Sequence, residues 1–231
     1  MQIKQIIENQ TFDEERALYN IQNTEVRNCT FAGPQDGESV LKETRQVRVD
    51  HCTFSLRYPL WHVQGYELIH SSLDELTRAP IWYSHHGLID SCDIQGIKIL
   101  RECSDTIVSN CQIQSPEFGW FCQDISIKDS EIHSEYMLLH SHHVKIDHLK
   151  FTGKYSFQYM HDLEITNSYL DTKDAFWHSS NVIVKDSVVK GEYLGWFSKN
   201  VTFINCQIIG TQPLCYCENL KLIDCEMIDC D

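Results

Sequence analysis

Five charged residues recur at nearly equivalent places in successive segments of this chain: Lys98, Arg101, Glu117, Glu135 and Asp174. Two carboxyl groups about 5 Å apart suit retaining glycoside hydrolysis, and a gap of about 6.5–9.5 Å suits inversion. Glu117 and Glu135 are the candidate adjacent pair, and Glu135 and Asp174 the pair two segments apart. A lyase acting on a uronate needs instead a basic residue to take the proton and a cation to neutralise the substrate carboxylate; Lys98 with Arg101 is the candidate set. Close by in each segment stand Trp61, Trp82, Trp120, Gln158, Tyr159, Trp177, His178 and Trp196. Aromatic faces pack on the CH faces of sugar rings, while amides, guanidinium groups and carboxylates bond hydroxyls or uronates. These residue types therefore point to recognition or cleavage of a carbohydrate, provided that the fold gathers them on one face.

The element that would gather them is a repeat. Gln10, Cys29, Cys52, Ser71, Cys92, Cys111, Ser130, Leu149, Ser168, Ser187, Cys206 and Cys225 occupy one equivalent position, and nine of the eleven intervals between them are 19 residues, the others being 23 and 21. With this residue as position 0, position +2 is apolar (Phe31, Phe54, Ile94, Ile113, Leu170, Ile208) and position +1 is usually polar (Thr53, Gln112, Glu131, Lys150). A strand alternates faces with period two, so 0 and +2 face inward and +1 outward. Position +8 is again apolar or glycine, and +14 and +16 are β-branched or aliphatic, as in Val182 and Val184. Each repeat reads as three short strands separated by polar turns. A unit this short cannot bury its apolar face alone, so copies must stack.

Short polar residues fill position −1 (Asn28, His51, His70, Asn110, Asn167) and position +13 (Asp105, Asp124, His143, Asp162, Asn181). At turns such side chains bond to backbone or accept left-handed dihedrals, so they are assigned to architecture.

If +8 points inward, +7 and +9 point outward, and the +9 row becomes Trp61, Trp82, Arg101, Trp120, Leu139, Gln158, Trp177, Trp196 and Cys215, an exposed aromatic stripe. In the opposite register the Trp residues are core, and Arg101 and Gln158 are buried anomalies. The expense of burying an unpaired Arg favours the outward reading. Lys and Glu at +5 and +6, such as Glu135 with Lys154 and Lys173 with Glu192, can form a surface ion-pair ladder of about 0–1 kcal/mol per pair.

The segments GESVLKE (37–43), YPLWH (58–62), APIWYS (79–84), GIKILRE (96–102), SPEFGWF (115–121), SEYMLLH (134–140), GKYSFQY (153–159), TKDAFWH (172–178), GEYLGWF (191–197) and GTQPLCY (210–216) resemble an uncharacterised bacterial family with the right-handed parallel β-helix of the pectin-lyase type. The resemblance covers nearly the whole chain and implies the handedness, which the spacing does not show. It brings no established activity or catalytic residue.

Composition narrows the partners. A formal charge of −14 over 231 residues argues against nucleic acid, whose phosphates call for a basic surface. No apolar run approaches the ~18 residues of a membrane span. The opening MQIKQIIENQ lacks the form of a secretory signal, so the expectation is a cytoplasmic protein. The eleven cysteines fall mostly in inward rows shared with Ser, which predicts free buried thiols acting as small hydrophobes. Cys215, Cys217, Cys225 and Cys230 lack paired CxxC spacing, and His143 of the His140, His142, His143 cluster is claimed by the +13 row. No metal and no cofactor are expected.

The sequence thus predicts an all-β chain, a single-stranded right-handed parallel β-helix of about eleven 19-residue coils. Residues 1–231 form one domain, with 1–9 as an N-terminal cap. The functional expectation is a carbohydrate-binding or carbohydrate-active protein of the glycoside hydrolase or lyase type, with Glu117, Glu135 and Asp174 as acid/base groups and a glycan or sugar-derived ligand. The alternative is a non-catalytic scaffold or protein-interaction module.

Overall fold

A computed structural model describes residues 1–33 and 37–231. Among them every regular element is a strand, and every pairing between strands is parallel. The register confirms the repeat: Asp93 pairs with Gln112, Ser130 with Leu149 and Leu170 with Val189, each offset by 19 residues. The structure is a parallel β-solenoid of about twelve turns.

Three rows of strands build the three sides of the coil. The long row spans +12 to +17, as in Ser104–Ser109, Ser180–Lys185 and Lys199–Ile204. The short row spans +1 to +3, as in Asp93–Gln95 and Gln112–Gln114. Two coils run both together, in Gln123–Ser134 and His142–Gly153. The corner between these rows is the −1 residue, which has positive φ in Asn28, His51, His70, Asn110, Asp129, His148 and Asn167. Asn, Asp and His tolerate that conformation better than other side chains, which explains their choice at this corner.

The third row, within the +6 to +9 stretch, is a strand in five coils: Leu60–Trp61, Ile81–Trp82 (past a two-residue insertion), Ile99–Arg101, Glu117–Trp120 and Tyr136–Met137. From Tyr155 onward the same stretch is a turn. Residues 5–8, expected as part of a cap, are themselves the first strand of the long row, with Gln5 opposite Thr24 and Glu8 opposite Arg27.

The core is a set of stacked like residues. Phe12, Phe31 and Phe54 stack at 5.2 and 4.7 Å, and Phe157 lies 5.3 Å from Phe176. Ser and Cys interchange at position 0 because both perform the same bonding. Ser168 Oγ donates to the carbonyl of Thr166 at 2.7 Å and accepts the Leu149 N–H at 3.0 Å. Cys111 Sγ likewise contacts the Ser109 carbonyl at 3.0 Å. All eleven cysteines are free, and burial pushes the Cys52 thiol up to about 12.

Polar rows form ladders along the axis. Asn181 donates to Asp162 at 2.8 Å, Asn200 to Asn181 at 3.0 Å and Asn219 to Asn200 at 3.0 Å. His143 lies between two carboxylates, 3.4 Å from Asp124 and 3.3 Å from Asp162.

Candidate ligand face

The stretch from +5 to +10 departs from simple alternation. Position +8 has positive φ in Leu100, Leu138, Phe157, Phe176 and Leu214, and in Gly119 and Gly195. A left-handed residue interrupts the period-two reversal of side chains. Consequently both +7 and +8 point inward: Ile99 and Leu100, Met137 and Leu138, and Ala175 and Phe176 are buried. The expectation that +7 faces outward is corrected on this ground. Positions +9 and +10 then both lie on the outside, and +10 again has positive φ, in His62, Phe121, His140, Tyr159, His178, Phe197 and Tyr216. Two neighbouring rows of rings result.

In the +9 row all side chains are half-buried. Trp61 and Trp82 stack at 6.0 Å, and Trp177 and Trp196 at 5.6 Å. Between the two pairs, the guanidinium of Arg101 sits 5.4 Å from the rings of both Trp82 and Trp120, a double cation–π contact. The indole N–H of Trp120 donates to the Tyr136 carbonyl at 3.4 Å, that of Trp177 to Tyr193 at 2.6 Å and that of Trp196 to Gln212 at 2.8 Å. Gln158 Nε2 donates to the Asp174 carbonyl at 2.7 Å. These bonds hold the side chains against the coil.

The +10 row is the more exposed. Phe121, His140, Tyr159, His178, Phe197 and Tyr216 form one continuous stack, with centroid spacings of 5.4, 4.6, 5.2, 5.1 and 4.9 Å and planes within 13° of parallel. Phe121, Tyr159 and Phe197 are 46%, 42% and 43% exposed. Rings inside the row cover one another's faces, so their edges meet solvent. A whole face opens only where the row stops, at Tyr216, which is 68% exposed.

Of the candidate catalytic groups, Glu117 lies 4.0 Å from Arg101 Nη1. Glu135 is exposed, but Glu117 stands in register with Tyr136, not with Glu135. The two carboxyl groups therefore occupy different places on successive coils. Burial raises the phenol of Tyr136, and the charges of Glu135 and Glu117 add to that effect. Asp174 is buried, and burial raises its carboxyl above the usual range, against the pull of Lys173. Lys98 is half-buried at a residue with positive φ. Lys173 pairs with Glu192 at 2.9 Å, whereas no ion pair joins Glu135 and Lys154 among the described residues. A hollow of about 600 Å³ lies on a different face, lined by Asp105, Asp124, His143 and Asp162 with Ile107 and Ile183, and none of the residues predicted from the sequence lines it.

Phe121, His140, Phe197 and Tyr216 were missed by sequence reasoning. Their signal was present, since an aromatic or His recurs at +10 and sequence reasoning already names Tyr159 and His178 from that row, but it does not extend the role to the other coils.

The description of the family DUF3737, proteins of unknown function, matches residues 5–231. The chain belongs to the DUF3737 family. Its fold is the right-handed parallel β-helix that the resemblance implied. The structure is similar to that of PfbA, a surface adhesin of Streptococcus pneumoniae, at a TM-score of 0.62 and 10% identity over 97% of this chain and 82% of that one. It is also similar to the tailspike protein of E. coli bacteriophage HK620, solved in complex with a hexasaccharide, at a TM-score of 0.42 and 8% identity over 98% of this chain and 53% of that one. At such identities the likeness of this DUF3737 member to PfbA concerns the fold. No curated protein matches the chain in sequence.

Proposed function

We propose that the two ring rows bind a carbohydrate chain lying along the helix axis. One observation carries this reading: the +9 and +10 rows run side by side on the outside of the coil, with Arg101 set among the rings of Trp82, Trp120 and Phe121. Rings supply apolar contact, and the Tyr159 hydroxyl, the His140 and His178 imidazoles and Arg101 supply hydrogen bonds to hydroxyls. The coil repeat of about 4.8 Å is close to the length of one sugar unit, so successive sugars meet successive rings. Binding is the proposed activity; catalysis by Glu117, Glu135 and Asp174 as acid/base groups, with Lys98 and Arg101 orienting or neutralising the substrate, is a second proposal that needs its own test, because Glu117 and Glu135 are not opposite each other and Asp174 is buried. The cytoplasm is the proposed compartment, and eleven free thiols support it, since disulfides persist mainly in oxidising compartments.

The test is a glycan array with the whole chain and the variants Tyr159→Ala and Phe197→Ala. These side chains are exposed, so the variants should keep the melting temperature within a few degrees while binding falls at least about tenfold, the loss of roughly one good contact of 1.4 kcal/mol. No bound glycan, or unchanged binding in both variants, would reject the reading in favour of a scaffold. Incubation with oligosaccharides and oligouronides tests catalysis separately, because a lyase leaves an unsaturated, ultraviolet-absorbing end.

A further inference from the structure

We propose that Asp50, His51 and His70 form a binding site for one divalent transition-metal ion. Asp50 Oδ1 lies 2.6 Å from His51 Nδ1 and 3.0 Å from His70 Nδ1. The three ligand atoms fall within 4.8 Å of one another, and this is the one such trio among the described residues. The imidazole rings lie 4.7 Å apart, tilted by 37°. Two imidazole nitrogens and a carboxylate oxygen suit zinc, nickel, copper, cobalt or iron(II), with metal–ligand bonds of about 2.0–2.2 Å. Around such an ion the ligand atoms stand roughly 3–3.4 Å apart, so the two contacts to Asp50 Oδ1 need to open by only some tenths of an ångström, and the two Nδ1 atoms already lie within 4.8 Å of each other. Both rings then carry their proton on Nε2 and present Nδ1 lone pairs to the ion.

The fold supplies its own comparison. Elsewhere the same corner carries a carboxylate that accepts from its following residue and from the corner residue of the next coil. Asp147 does so with His148 at 2.8 Å and Asn167 at 2.7 Å, and Asp90 with Ser91 at 2.9 Å and Asn110 at 2.8 Å. The next-coil partner there is an amide NH2, which has no lone pair to offer a metal. Among the described residues, only around Asp50 do imidazoles hold both places. The positive φ of His51 and His70 turns both rings outward, and with side-chain exposures of 61% and 48% the remaining coordination positions face solvent. Arg48 lies on the other carboxylate oxygen, 3.9 Å from Oδ2, which leaves Oδ1 for the ion. Sequence reading assigned His51 and His70 to architecture because they stand in the Asn/Asp row, and their common partner is not visible from a row alone.

The probe is Co2+ alone, added to the whole chain and followed by its visible absorption and by calorimetry. One equivalent should bind to the parent and equally to His148→Asn. Affinity should fall at least about tenfold in His51→Asn, His70→Asn and Asp50→Asn, since loss of a ligand should cost at least as much as the ~10–100-fold typical of losing one of its supporting partners. Asn already serves at the corner in Asn110 and Asn167, so the His variants are expected to fold, with melting curves as the check. Unchanged binding in His70→Asn, no binding at millimolar Co2+, or a thiolate-to-cobalt charge-transfer band that places the ion on the half-buried C-terminal cysteines would each overturn the proposal.

Discussion

Trp177 and Tyr193 are joined across one coil: the indole N–H of Trp177 donates to the Tyr193 carbonyl at 2.6 Å. That bond fixes the ring so that it stacks on Trp196 at an angle of 4°. The half-buried Trp row is thus part of the wall of the solenoid as well as part of its outer face. Trp177→Phe should keep the stack and lose the bond, at a cost of about 1 kcal/mol. Trp177→Ala should lose both, by about 2–4 kcal/mol, somewhat below the range for a fully buried aromatic. Denaturant midpoints of the two variants measure the difference, and a midpoint unchanged in Trp177→Ala would contradict the structural role.

Asp147 accepts from Thr166 Oγ1 and Asn167 Nδ2 at 2.6 and 2.7 Å, and these bonds hold its carboxyl at about 2. Because the folded value lies below the unfolded one of about 3.9, the unfolded chain takes up the proton first as pH falls. The contribution to stability is therefore complete above about pH 4 and is lost progressively down through about pH 2. In Asn167→Leu the Asp147 value should rise toward the unfolded one, as followed by carboxyl NMR titration. An unmoved titration would show that Asn167 does not hold it.

Ser168 Oγ satisfies the buried N–H of Leu149 at 3.0 Å. Ser168→Ala orphans that donor and should cost about 1–3 kcal/mol, whereas Cys111→Ser, which keeps a group able to donate to the Ser109 carbonyl, should fold and lose about 1 kcal/mol. Titration of the unfolded, non-reduced chain should find eleven thiols; finding most of them blocked would refute the assignment of the cysteine rows to packing.

The fully buried ring of Tyr66 reaches over Gly87 to Thr106, with 3.4 Å between the Tyr66 hydroxyl and Thr106 Oγ1. A Cβ at Gly87 would overlap that ring. Gly87→Ala should therefore destabilise by about 1–3 kcal/mol through overpacking. The double variant with Tyr66→Leu should recover part of the loss, and a double-mutant cycle showing simple additivity would argue against the contact.

The 19-residue interval by itself determined the stacking of coils, the inward rows at 0 and +2, and the exchange of Cys for Ser. A residue repeated once per coil must meet its own kind about 4.8 Å away, and only small or apolar types survive inside. The same interval places Arg101 in the row of Trp82 and Trp120, and Lys173 beside Glu192. Tertiary structure alone decided where side chains point between +5 and +10. Whether Leu138 or Phe157 takes a positive φ depends on the hydrogen bonds that neighbouring coils offer its backbone, and that choice turns both +7 and +8 inward and sends both +9 and +10 out. The interval also set Glu117 opposite Tyr136 and not Glu135, whereas tertiary structure decided that His51 and His70 converge on one oxygen of Asp50. Spacing says which residues are neighbours; the dihedral angle at each corner says which of their atoms meet.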